Sequence, residues 1–108
     1  MKRSNEAEYQ AYLATKPEPF AIKRMVKDFG DWWLIENEWP YDLLFKTHHL
    51  LIPMKKVTRF RDLPHITQAN YHKVLAKLEK DYDTYFVNMP LKRTVATHWH
   101  CHIIRWHE

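Results

Sequence analysis

The order of apolar patterns along the chain predicts an α+β fold with a mainly antiparallel sheet. Two kinds of pattern carry this expectation. An aromatic and β-branched run at 31–36, a short buried apolar run at 49–53 and the alternating stretch 94–105 read as strands. Between the second and third, Tyr71, Val74, Leu75, Leu78 and Tyr82 fall at i, i+3, i+4, i+7 and i+11, one face of a helix. Strands grouped before and after a single long helix suit α+β rather than a parallel α/β sheet. The expectation is about five strands, one main helix and a short N-terminal helix. No repeat or linker divides the 108 residues. They are read as one domain, 1–108, with 1–19 as a helical extension and 20–108 as the core.

The elements follow in order. Ser4 to Thr15 reads as the first helix, with Ser4 or Asn5 as its cap, Glu6 and Glu8 in its first turn and Tyr9, Tyr12 and Leu13 as its stripe. Pro17 and Pro19 end it. Phe20 to Val26 is expected as a short strand, with a turn at Gly30. Asp31 to Glu36 is the next strand, stopped by Asn37-Glu38-Trp39-Pro40 because proline lacks a donor and restricts its neighbour. Residues 41–46 read as a loop and His49 to Pro53 as a buried strand. Arg61 to Pro64 leads into the main helix, with Thr67 as the expected cap and Lys73, Lys77 and Lys80 toward water. Tyr85 to Asn88 is a short strand, Met89 to Arg93 a turn, and Thr94 to Arg105 the last strand.

Composition bounds the function. Hydrophobic residues make up 45 % and charged residues 28 %, which places the chain among globular rather than disordered sequences. The net charge of +4 favours an anionic partner, but the basic residues are scattered among acids. Such a scatter equally suits a solvated, slightly basic surface, and nucleic acid is not the expected partner. Cys101 is the single cysteine, so no internal disulfide forms. No apolar run approaches the ~20 residues of a membrane helix, and the start Met-Lys-Arg-Ser-Asn is not that of a signal peptide. A cytoplasmic protein without membrane contact is expected.

The chemistry concentrates in His98-Trp99-His100-Cys101-His102-Ile103-Ile104. A strand has period two, so the three histidines should share one face, about 6.5 Å apart at each step, while Trp99, Cys101 and Ile103 face a core. Imidazole is the side chain whose ordinary pKa lies nearest neutral pH, so such a row suits acid–base, nucleophilic or metal chemistry.

The row resembles the signature of the histidine triad (HIT) superfamily of nucleotide hydrolases and transferases, His-φ-His-φ-His-φ-φ with φ hydrophobic, and every slot is filled. Two further stretches are similar to that family. His48-His49-Leu50-Leu51-Ile52-Pro53-Met54-Lys55 matches its strand of the type His-x-Leu-φ-φ-Pro-Lys, and Asn37, three residues before Pro40, matches its Asn or Asp at the end of the preceding strand. The resemblance covers roughly residues 29–106. It departs where the family carries a Gly-Gln-Ser-like turn before the triad, since this chain has Arg93-Thr94-Val95-Ala96-Thr97. It departs also at Lys56, where many members have a further histidine, and between Pro40 and His48, where the loop is longer and lacks Pro-Gly-His.

The resemblance implies a HIT-like fold, a homodimer, no cofactor, and nucleotidyl transfer at the α-phosphorus of a dinucleoside polyphosphate or nucleoside phosphoramidate. His100 would be the nucleophile, His102 would assist the leaving group or phosphate, and His98 and His48 would orient the set. Lys55, Lys56 and Arg93 would balance phosphate charge, with Thr94 as a further anion contact, Asn37 on the ribose and Asn88 beside the triad. Trp33, Leu34 and Ile52 are candidate walls for the base. His65, His72 and His107 read as surface. Two other readings of the residues stay open: a zinc-binding His-x-His-x-His protein, with a His-x-His pair completed by His48 or His102, and a nucleotide-binding HIT protein without catalysis.

Overall fold

Strict alternation along the central strands creates a sheet with two unlike faces, and that division positions everything else. The computed structural model describes residues 3–18, 20, 24–89, 92, 95 and 97–107. Two α-helices, α1 (Glu6–Ala14) and α2 (His65–Leu78), accompany five strands: β1 (Met25–Asp28), β2 (Trp32–Glu36), β3 (Phe45–Pro53), β4 (Thr84–Phe86) and β5 (Cys101–Trp106). They form one sheet in the order β1-β2-β3-β5-β4, and every pairing is antiparallel. The α+β class and the antiparallel sheet are as the sequence predicts. Among the described residues no helix is long and apolar enough to cross a membrane.

On one face Trp32, Leu34, Leu51, Cys101 and Ile103 pack beneath the α2 stripe of Tyr71, Val74 and Leu78. Trp99 joins this core, with its ring 5.8 Å from that of Trp32. The Trp32 indole N–H donates to the Thr67 carbonyl at 2.8 Å and ties the helix to the sheet. On the other face Ile35, Leu50 and Ile52 form a smaller apolar patch with Trp33 and Phe20 against it. His48 and His102 share that face. The register pairs Leu50 with His102 and His48 with Ile104, so the two histidines come from adjacent strands.

Several boundaries differ from expectation for identifiable reasons. The last strand begins at Cys101, not at 94, because the chain has already left the ladder: the Trp99 N–H donates at 2.7 Å to the Val57 carbonyl in the loop after β3. The alternation of side chains persists without a ladder, so Trp99 still enters the core. β3 begins at Phe45, inside the expected 41–46 loop, since Phe45 and Thr47 find partners in Trp106 and Arg105. Helix α2 starts at His65 rather than after Thr67. Pro64 in an extended conformation turns the chain directly into the helix, and Thr67 lies buried in the first turn. Part of the expected 20–26 strand lies outside the described residues; Phe20 itself is a turn residue with φ 53°, and the strand there runs Met25–Asp28. β4 is Thr84–Phe86, two residues short of the expected Asn88 end. Gly30 has φ 94° in the β1–β2 turn, where its N–H donates to the Asp28 carboxylate at 2.8 Å.

Candidate functional site

The site is built where β3 and β5 run side by side. β3 contributes His48, β5 contributes His102, and the stretch leading into β5 contributes His98 and His100. All four imidazoles are buried, each about 4 % exposed. His49 falls on the opposite face, as the period of a strand requires, and its Nδ1 lies 2.7 Å from the Tyr82 hydroxyl.

Main-chain groups determine which ring nitrogens carry protons. The Tyr41 N–H donates to His48 Nδ1 at 2.9 Å, so Nδ1 must present a lone pair and Nε2 the proton. His48 Nε2 then donates to His102 Nδ1 at 2.7 Å. Neutral His102 in turn holds its own proton on Nε2. The Asn88 Nδ2 lies 3.4 Å from that nitrogen, and a proton there calls for the amide to be turned so that its oxygen accepts. His100 has the opposite arrangement. Its Nδ1–H donates at 2.9 Å to the His98 carbonyl, which leaves the lone pair on Nε2. His98 Nε2 donates to the Pro53 carbonyl at 3.3 Å.

Aromatic rings fix the ring planes. Phe86 stacks on His102 at 4.4 Å with an interplanar angle of 11°, and Tyr41 also stacks with it at 5.8 Å. Phe20 stands edge-on to His98 at 5.1 Å and to His100 at 5.3 Å. Burial pushes the His48 pKa down to about 3, and the Arg3 charge and the neighbouring His100 and His49 act in the same direction. His48 is therefore neutral at pH 7.

A cleft of about 300 Å³ opens over His100 and His102. Its apolar walls include Tyr9, Tyr12, Phe20, Trp39, Ile35 and Leu50, with Asn37, Val95 and Thr97 at its edges. Of the expected base walls, Leu34 belongs to the helix-side core, because it alternates with Ile35 along β2. Trp33 and Ile52 are on the histidine face but do not line the cleft. Asn37 does line it. Its Oδ1 accepts the Trp39 N–H at 2.9 Å, and its Nδ2 lies 3.3 and 3.4 Å from the two His48 ring nitrogens. Asn37 thus holds a turn and braces His48. Lys55 and Lys56 are on the exposed turn after β3, outside the lining of the cleft, and Lys56 pairs with Glu18 at 2.5 Å. Arg93 and Thr94 lie outside the described residues. His65, His72 and His107 are exposed.

Sequence reasoning missed Arg3, Tyr41 and Phe86. Each reaches the histidines through tertiary structure alone, and no local spacing signals it. Among the described residues no group of three or more His, Cys, Asp or Glu side chains is arranged to hold a metal ion. Cys101 faces the other core, where the Tyr71 hydroxyl donates to its sulfur at 3.4 Å. No protein-family model matches the chain, and a search of curated proteins finds no match.

Proposed function

We propose that the protein is a HIT-type nucleotide hydrolase or nucleotidyl transferase that works through a covalent nucleotidyl-His100 intermediate. The observation that carries this reading is the hydrogen bond from His100 Nδ1 to the His98 carbonyl. In the neutral ring it places the proton on Nδ1, and a neutral imidazole with a lone pair at Nε2 is a competent nucleophile near pH 7. In the first step Nε2 attacks the α-phosphorus, and the bond to the leaving group breaks. In the second, water or another hydroxyl acceptor attacks, the N–P bond breaks, the lone pair returns to Nε2 and the proton of the attacking hydroxyl passes to solvent. The His102 Nε2–H donates a hydrogen bond to the phosphate oxygens or the leaving group, and the departing group takes its proton from solvent. His48 and His98 orient the set. The aromatic cleft takes the base, and Asn37 meets the ribose at the cleft edge.

The altered turn before the triad leaves the leaving group undefined by motif, so substrates must be surveyed. Adenosine and guanosine phosphoramidates and dinucleoside polyphosphates form the panel. The expected result is release of a mononucleotide and a nucleotide adduct on His100 in a quenched, digested sample. Binding without release in the whole panel would leave a nucleotide-binding protein and overturn the catalytic reading. The same resemblance carries a homodimer in the cytoplasm, which mass measurement in solution and cell fractionation test.

A further inference from the structure

We propose that Arg3 is a positioning residue for the His48–His102 pair, clamping the segment from Trp39 to Tyr41 so that the Tyr41 N–H stays aimed at His48 Nδ1. Arg3 is only 6 % exposed, unusual for a side chain that carries a permanent charge. Its Nε, its Nη1 and its flat face are engaged. Nε donates to the Trp39 carbonyl at 2.8 Å, and Nη1 meets the Glu6 carboxylate at 3.4 Å. Its plane is held between two rings, with Cζ 4.0 Å from the centre of Tyr9 and 4.3 Å from that of Tyr41. The next residue grips the far side of the same segment: the Ser4 N–H donates to the Asp42 carboxylate at 2.8 Å, and the Ser4 hydroxyl donates to its other oxygen. The arm therefore holds the chain on both sides of Tyr41, at residues 39 and 42.

The consequence is a choice of donor or acceptor in the cleft. With the Tyr41 N–H on Nδ1, His48 presents a proton to His102, and His102 presents a proton from Nε2. Without that N–H, His48 can hold its proton on Nδ1 and accept from His102 instead. His102 then carries its proton on Nδ1 and shows a lone pair where a phosphate oxygen needs a donor. Arg3 also opposes protonation of His48 through its charge, in the same direction as burial and as His100 and His49. His102, hydrogen-bonded to Nε2, and the Tyr41 phenol ring, 4.6 Å away, also face His48.

This inference rests on the proposed transfer reaction only for the use made of the His102 proton. Its test therefore reads the rings directly. Long-range proton–nitrogen NMR spectra of the histidine rings are compared for the wild type, Arg3→Ala and Arg3→Lys, each checked for fold by circular dichroism. In the wild type both His48 and His102 are expected as the Nε2-protonated tautomer, with His48 resisting protonation down to acid pH. Arg3→Ala should give mixed tautomers at both rings and a His48 that titrates at higher pH. Arg3→Lys, which keeps the charge but not the planar fork, should mix the tautomers with a smaller titration shift. A folded Arg3→Ala protein with unchanged tautomers and titration overturns the proposal, because an arginine that merely docks α1 would lower the melting temperature and leave the rings alone. If Arg3→Ala does not fold, unchanged tautomers in Arg3→Lys do the same. On any substrate that the panel identifies, Arg3→Ala should lower kcat roughly tenfold with little change in KM, as loss of a transition-state donor does. A panel with no turnover would sink the transfer reaction while the ring spectra still decide the role of Arg3.

Discussion

His48 and His100 are neighbours held in opposite tautomers, each by one main-chain group, and their expected behaviour on mutation differs accordingly. Replacing His100 by Ala removes the proposed nucleophile, so turnover should fall by roughly three orders of magnitude or more while nucleotide affinity survives. His48→Ala and His98→Ala remove orienting groups and should retain measurable activity. Rates of the four single alanine variants at 48, 98, 100 and 102 decide this, and a near wild-type kcat in His100→Ala rejects the covalent route. His48 also links stability to pH. Its folded pKa of about 3 lies below the ordinary value near 6.5, so the unfolded chain binds the proton more readily. The stability it contributes is present above pH 6.5 and is lost as pH falls toward 3, by at most about 1.4 kcal/mol per pH unit. Urea melts at pH 7, 5.5 and 4 on wild type and His48→Gln should show a steeper loss in the wild type. Cys101 works at the other end of the scale: burial raises its thiol to about 12, and it has no exposed surface. A disulfide reagent should leave the native thiol unmodified and label it only in denaturant; rapid labelling of native protein would contradict its buried position.

At the scale of elements, what the sequence revealed followed from periodicity, and what it hid followed from tertiary contact. The α2 stripe, the β2 strand and the strand ending in Pro53 were legible because their alternation is local. So was the placement of His48 on the histidine face and His49 away from it. The short β5 was not legible. The rule of period two correctly separated His98 and His100 from Trp99, but it could not reveal that the ladder starts only at Cys101, since a loop carbonyl at Val57 captures the Trp99 N–H. The two lysines after Pro53 matched a motif, and the structure places both on an exposed turn, with Lys56 paired to Glu18, which lines the cleft. The core side of β5 offers a direct check of the packing. Ile103 is buried between Cys101 and the α2 stripe, and Ile103→Ala should cost about 2–5 kcal/mol, as large-to-small core changes do. Denaturant midpoints at constant slope measure it; a loss below about 1 kcal/mol would mean that this face is not the close-packed core described.

At the scale of the whole molecule, the sheet separates two tasks. One face carries the dense aromatic core under α2, and the other carries buried imidazoles beneath a cleft that α1 closes from above. The packed core and the proposed chemistry thus lie on opposite sides of the same strands, with Cys101 and His102 as adjacent residues facing opposite ways. This division makes a clear prediction about metals. His48 and His102 use their facing nitrogens on each other, and the proposed reaction needs no ion. Activity on any panel substrate should survive prolonged chelation, and elemental analysis should find no stoichiometric zinc. Zinc in a one-to-one ratio, together with loss of activity on its removal, would favour the metal-binding reading instead.

The five tryptophans sit in sharply different surroundings, and that turns the cleft wall into a built-in optical gauge. Trp32 and Trp99 are sealed in the core, Trp106 is exposed at the end of β5, and Trp33 packs beside Ile35. Trp39 alone lines the cleft. A stacked base there would displace water from one indole out of five, so its emission should dim and shift while the other four stay constant. Trp39→Phe should erase the ligand-dependent part of the spectrum and little else. A titration signal that persists in that variant would locate the nucleotide somewhere other than above His100.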